Sequence, residues 1–425
     1  MRLTFLVPLL LLFSGVCAIA QPLPFTVEQC RILAKQNSPL QQKKGYAESI
    51  SALQVRNLQS NSLPRIQFGA QASWQSDVIA FPFAFPGVNI LEIPKDQYKL
   101  SADIAQRIWD GGSDRHLRQQ RELERDLASV QVDVDAFSLR EIVTDLYFKA
   151  LLLQETGEVL VSSKEDLETR LKQAEAAVAE GIALRSSADQ IKIQILKTQQ
   201  QIIATQSDYE TLLKILATWV GQNVVPAALA PESGQIKPAE PTSLGINRPE
   251  YALFLLQKRG LRLGKEALDV HSQPRFDAFL QVGAGRPNPL NFFETGFKPF
   301  FMVGLRAAWT PVDWGNKRRE SQVFDLQMKN VDVQRQFFDQ KLGANILKDQ
   351  ADEQKWKEQL TQDDAIITLQ TDIIGRADAQ VKNGIMSVTD YLTQLMLLTQ
   401  AKLTRKTHEV IIVYSREMQL AKLGG

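Results

Sequence analysis

Trp109-Asp110-Gly111-Gly112-Ser113-Asp114-Arg115 and Val312-Asp313-Trp314-Gly315-Asn316-Lys317-Arg318 punctuate one chain in the same way. Asp110 and Asp313, Gly112 and Gly315, and Arg115 and Arg318 are each 203 residues apart. Upstream the offset is 210, both from Pro39 to Pro249 and from Pro64-Arg65-Ile66 to Pro274-Arg275-Phe276. The difference of seven residues must lie between the Pro-Arg pair and the Asp-Gly turn, so that loop is longer in the first copy. Downstream, Val178-x-x-Gly181-Ile182 returns as Val381-x-x-Gly384-Ile385, again at 203. Separate anchors at nearly one offset imply a duplicated unit: helix, strand, strand, long helix, tip, return helix.

Each copy holds two strand candidates. Ile66, Phe68, Ala70, Ala72 and Trp74 alternate with Gln67, Gly69, Gln71 and Ser73, and Tyr98, Leu100, Ala102, Ile104 and Ile108 stand opposite Lys99, Ser101, Asp103 and Arg107. In the second copy Phe276, Ala278, Leu280, Val282 and Ala284 alternate with Asp277, Gln281 and Gly283, and Phe301, Val303, Leu305, Ala307 and Trp309 with Gly304, Arg306 and Thr310. Each run has roughly the 9–11 residues with which a tilted strand crosses a bilayer. Four strands cannot close a barrel in one chain, and an open edge cannot sit in lipid. A membrane role therefore requires several copies.

The remaining sequence reads as helix. Leu123, Leu127, Val130, Val134 and Phe137 step in coiled-coil spacing, and Leu160, Leu167, Leu171, Ala174 and Val178 resume the seam. From His116 to Glu180 there is no proline, so one helix of roughly 95–100 Å is expected, with a like span from Arg318 to Lys382. Return helices over Ala188–Val220 and Val388–Lys422 are half as long. Single helices over Thr26–Ser62 and Pro249–Ser272 precede the strand pairs, and the return helices must stack end to end with them to match their long neighbours. The locally alternating Ile191–Ile195 is read as helix with its surroundings.

Composition excludes more than it identifies. With 49 Lys and Arg against 48 Asp and Glu, no basic surface points to nucleic acid. Arg2, the apolar run Leu3–Phe13 and Ala18-Ile19-Ala20 read as a cleaved signal peptide, residues 1–20. A lipid anchor on Cys17 lacks the usual large aliphatic residue three positions upstream. Loss of Cys17 leaves Cys30 alone, so no intramolecular disulfide is expected. No later segment offers about 18 consecutive apolar residues, so a transmembrane helix is not expected. The expected divisions are 21–222 for the first copy (β-hairpin 65–110, tip 181–189), a proline-rich linker at 223–246, and 247–425 for the second (β-hairpin 275–313, tip 384–390).

In this order Asn37-Ser38-Pro39, Leu63-Pro64-Arg65, the Trp109-Asp110-Gly111-Gly112 turn and the Gly-x-(x)-Ser-x-x-Asp tip, largely duplicated, resemble the TolC-type outer-membrane efflux proteins. The resemblance covers essentially the whole mature chain. It implies an α+β membrane protein: a homotrimer with a 12-stranded β-barrel in outer-membrane lipid, continued by a 12-helix periplasmic α-barrel of coiled-coil hairpins. It also implies that the tips dock to a periplasmic adaptor protein coupled to an inner-membrane pump, and that no cofactor is used.

At the tips each glycine lets the chain reverse, Ser186 and Ser387 are candidate helix caps, and Asp189 and Asp390 face the new helix dipole. The resemblance makes Asp390, with Asp189 in the same setting on the other hairpin, the candidate channel constriction. It makes Gly181-Ile182 and Gly384-Ile385 the adaptor contacts. Met386, Val381 and Thr393 depart from the arginine, tyrosine and aspartate found at gate positions in the family.

Other classes fare worse. His116, His271 and His408 are far apart, no Cys/His cluster has metal spacing, no phosphate-binding glycine loop precedes a helix, and the methionines are scattered. An enzyme is not expected. The rival is a soluble periplasmic coiled-coil scaffold or adaptor with the strands as a capping domain. The segment Phe81–Pro86 between two strands is either a constriction or a sticky external patch.

Overall fold

The computed structural model describes residues 25–78, 93–226, 248–291 and 294–424. The signal peptide, the Phe81–Pro86 segment and most of the 223–246 linker lie outside them. Eleven elements follow in order: α1 (Val27–Asn37), α2 (Leu40–Ser60), β1 (Arg65–Trp74), β2 (Asp96–Trp109), α3 (Ser113–Ala179), α4 (Arg185–Val220), α5 (Pro249–His271), β3 (Arg275–Arg286), β4 (Lys298–Ala308), α6 (Asn316–Lys382) and α7 (Val388–Leu423). The long helices α3 and α6 have 67 residues each, and the return helices α4 and α7 have 36 each. Two compact units divide the described chain, residues 25–37, 139–226 and 348–421 in one and 38–78, 93–138, 248–347 and 422–424 in the other. Each takes segments from both halves of the sequence. Among the described residues no helix is long and apolar enough to cross a membrane.

The single helix expected over Thr26–Ser62 is instead two, broken at Ser38-Pro39. Pro39 has no N–H to donate, and its ring disfavours a helical residue before it. Ser38 Oγ then takes the N–H of Leu40 at 3.3 Å.

In the first unit, Cys30 and Ala34 of α1 pack with Val143, Tyr147, Phe148 and Leu151 of α3, Leu216 and Val220 of α4, and Val410 of α7. Arg31, 4% exposed, is held among them by ion pairs to Glu28 and Glu417, both at 3.0 Å, and by Thr144 Oγ1 at 3.0 Å. Burial pushes the Cys30 thiol up to about 11, over the opposing pull of Arg31, so this sulfur is a small apolar filler.

In the second unit, helices flank a four-stranded antiparallel sheet of order β1-β2-β3-β4. Lys258 pairs with Asp332 at 2.9 Å and Lys265 with Asp325 at 2.7 Å, tying α5 to α6, while Lys44 pairs with Asp133 at 2.6 Å. The guanidinium of Arg248 lies 4.6 Å from the Phe137 ring centre and 5.2 Å from that of Phe338.

Strand register decides what the sheet presents. Phe68 pairs with Ala102, Ala102 with Val282, and Val282 with Phe301; Ile66, Ile104, Leu280 and Val303 form the next row. Since side chains alternate along a strand, these rows put every apolar series on one face. That face is bare: Phe68 is 82% and Leu305 77% exposed. The opposite face carries rows such as Arg107-Asp277-Arg306 and Gln67-Asp103-Gln281. One expectation is corrected here. The register shifts between Arg107 and Trp109, so Ile108 is the extra residue and Trp109 continues the apolar face opposite Phe276.

The strand-to-helix turns use the quoted sequences alike. Asp110 accepts the N–H of Gly112 at 2.8 Å and of Asp114 at 2.6 Å; Asp313 accepts those of Gly315 at 3.0 Å and Lys317 at 2.8 Å. Gly111 has φ 70°, and a Cβ there would lie 2.7 Å from that of Gln273. Trp314, its counterpart, has φ 55° and open surroundings. The left-handed backbone is thus required at both turns, but only the first also lacks room for a side chain.

Candidate functional site: the two helical tips

The two tips share one hydrogen-bond pattern. Gly181 N–H donates to the Val178 carbonyl at 3.1 Å and Ile182 N–H to that of Ala177 at 2.8 Å. Gly384 and Ile385 repeat this with Val381 at 3.1 Å and Gln380 at 2.9 Å. Both are Schellman closures, in which a left-handed residue turns the chain while the last carbonyls of the helix stay satisfied. Gly181 and Gly384 supply it with φ 73° and 70°. The closure leaves the next side chain outside, so Ile182 is 74% and Ile385 75% exposed. Each hairpin thus ends in an apolar point with no covering neighbour in the chain.

The return helices start differently. At α7, Ser387 Oγ accepts the N–H of Asp390 at 3.1 Å and donates to its carboxylate at 2.7 Å, so Ser387 occupies the cap position and Asp390 sits exposed in the first turn. At α4 the expectation for Ser186 is corrected. The helix begins at Arg185, with Leu184 extended (ψ 142°) at the N-cap and no side-chain hydrogen bond. The two residues inserted after Gly181 let the helix start before the serine, which falls inside the first turn. Asp189 is exposed on that turn. Replacing Ser387 by Ala is therefore expected to destabilise this hairpin by about 1 kcal/mol, and replacing Ser186 by Ala to do almost nothing. Amide hydrogen exchange in the first turns of α7 and α4 measures the difference.

Between the hairpins lies a polar cluster that local sequence patterns do not reveal. Arg170 of α3 pairs with Asp378 of α6 and lies 5.1 Å from the centre of the Tyr391 ring of α7. Lys382 adds a second contact to Asp378 at 2.9 Å. Burial alone would raise the Asp378 carboxyl, but Lys382 and Arg170 outweigh it and hold it below its ordinary value. The pair's contribution is therefore complete above the ordinary carboxylate range and is lost as pH falls through the lowered value. Tyr391 is buried with Leu167, Ile191, Ala377, Leu392 and Leu395. Val381 and Met386, the departures noted at gate positions, pack against this cluster. Thr389 Oγ1 also donates to Gln190 Oε1 at 2.9 Å, joining the starts of α7 and α4. Only the Asp378–Lys382 part, four residues apart on one helix, could have been read locally; Arg170 lies 208 residues away.

This arrangement of long hairpins, exposed tips and a sheet with one bare apolar face has known counterparts. The family model described as outer membrane efflux protein matches residues 33–222. Over those residues the chain is similar to the outer membrane efflux protein family. No curated protein matches it in sequence. Among solved structures it is similar to the outer membrane protein VceC of Vibrio cholerae, at 12% identity and TM-score 0.66, covering 94% of this chain and 96% of that one. CusC gives 12% identity and TM-score 0.71, with 95% and 93% covered. The open-state MtrE outer membrane channel of Neisseria gonorrhoeae gives 14% and 0.65, with 94% and 89% covered. At such identities these likenesses establish the fold. The matched family is described as an outer membrane efflux protein, the description of a channel rather than an enzyme.

Proposed function

We propose that this chain is an outer membrane efflux protein and the exit duct of a tripartite efflux or type I secretion system, passively conducting cargo from a periplasmic adaptor and inner-membrane pump to the exterior. The observation that carries the reading is the sheet. Its apolar face is exposed along β1 and β4 and half-exposed along much of β2 and β3, with nothing among the described residues packed over it, and β1 and β4 are unpaired edges. In hydrocarbon each unpaired backbone group costs several kcal/mol, so the edges must meet those of other copies. Three chains supply twelve strands and close a barrel, with the polar face lining water. The duplicated halves, divided at 21–222 and 247–425, then supply the two hairpins of each chain to a 12-helix tunnel.

At the tunnel's end, the exposed Ile182 and Ile385 beside their glycines are the adaptor contacts. Asp390, fixed by Ser387 at a helix start, is repeated around the axis and forms the constriction, with Asp189 as its counterpart on the other hairpin. The cluster of Arg170, Asp378 and Tyr391 holds the hairpins together in place of the altered gate residues. Native mass measurement of the detergent-solubilised protein is expected to give three chains. A homogeneous monomer, soluble without detergent, would instead support a periplasmic scaffold.

A further inference from the structure

We propose that the membrane part of the duct is anion-selective, because the water-lining face of the sheet carries a fixed surplus of positive charge. This rests on the channel reading above, which makes the polar face the lumen. Register places Arg65, Lys99, Arg107, Arg275, Lys298 and Arg306 on that face, against Asp103 and Asp277 alone. The ion pair of Asp96 and Arg286, at 3.0 Å, has the other parity and cancels itself. Each chain therefore gives the lumen a surplus of four positive charges, although the whole chain is +1. The excess is local to the sheet.

The acidic residues present do not undo it. Asp103 is engaged by Gln281 and by Ser101 Oγ, and Asp277 stands in one row between Arg107 and Arg306. Asp114, just past the turn, approaches Arg107 at 3.7 Å and offsets one charge at the helical end. Two of the cations are held over rings rather than left to swing. Lys99 Nζ lies 5.6 Å from the Phe300 ring centre and Arg306 5.4 Å from that of Phe279. Those rings lie against Gly283 and Gly304, where a Cβ would come within 2.9 Å of them. The sheet thus supplies both the cations and the rings that hold them.

Like charges on a concave wall with low-dielectric backing focus their field, and at physiological salt the screening length is about 8 Å. Three copies enclosing one lumen concentrate small anions and disfavour cations. The cargo class that passes this segment most readily is therefore anionic, or carries an exposed carboxylate, phosphate or sulfate.

The test is the reversal potential of the reconstituted trimer across a tenfold KCl gradient. It uses protein carrying Asp189→Ala and Asp390→Ala, so that the acidic tips do not mask the barrel. The expected sign is chloride-selective. Adding Arg65→Glu and Lys298→Glu takes four charges from each chain, cancels the strand surplus, and the chloride-to-potassium permeability ratio is expected to fall to about 1 or below. Lys99→Glu with Arg306→Glu changes the same charge from other positions and should give the same fall. Potassium selectivity before charge reversal, or a ratio unmoved by both pairs, overturns the proposal and leaves the channel reading standing. Absence of any conductance from wild-type trimer overturns both.

Discussion

Val303→Arg is expected to cost the folded protein about 2–4 kcal/mol in phospholipid vesicles, whereas Met302→Arg next to it is expected to cost little. The two residues are adjacent in β4 but face opposite ways, Val303 in the row of Leu280 and Ile104 and Met302 in the row of Gln281 and Asp103. An arginine at mid-strand on the lipid side must draw its guanidinium to the interface or thin the bilayer around it. On the lumen side the same group meets water. Urea unfolding in vesicles, followed by tryptophan emission, compares the two midpoints. Equal losses would mean that the apolar face packs against protein rather than lipid.

Gly283→Ala is the second large effect. A Cβ there would stand 2.2 Å from the Leu100 carbonyl oxygen and 2.9 Å from the Phe300 ring. The ring can turn, but the carbonyl belongs to the β2–β3 pairing and cannot move without opening it. Overpacking of this kind costs about 1–3 kcal/mol, and here it also displaces the ring beside Lys99. Gly343→Ala in α6 is the control. Nothing lies within 4 Å of its Cβ position, so replacing a mid-helix glycine should gain about 0.5–1 kcal/mol. Thermal unfolding of the two variants in the same detergent should shift in opposite directions.

The sequence exposes those parts of this protein that repeat or alternate. Two-residue periodicity places four strands with their faces grouped as the register has them, Ile108 and Trp109 apart, because a slip of one residue would exchange the apolar and polar faces for a whole strand. The tip glycines were legible since both Val-x-x-Gly-Ile segments need a left-handed residue at the same place. What the sequence hid depends on insertions and distant partners. The break at Pro39 required weighing one proline against a long helical pattern. Ser186 resembles Ser387 in its local sequence, but the two inserted residues give the backbone another start at Arg185. The bulge at Ile108 adds one residue to a strand without interrupting its composition. Arg170, Asp378 and Tyr391 lie on three helices, and their meeting follows from hairpin packing that no local spacing encodes.

The central claim is that this chain closes a pore whose narrow end is set by Asp390, and single-channel recording in planar bilayers tests it most directly. Purified wild-type protein is expected to give discrete conductance steps that are blocked by divalent cations added on the helical side. Asp390→Ala should abolish that block with the trimer intact, and Asp189→Ala should reduce it less. If the intact trimer conducts and Asp390→Ala leaves block and ion preference unchanged, Asp390 only supports the start of α7 and the constriction lies elsewhere. If no steps appear from wild-type trimer, the channel account itself is contradicted.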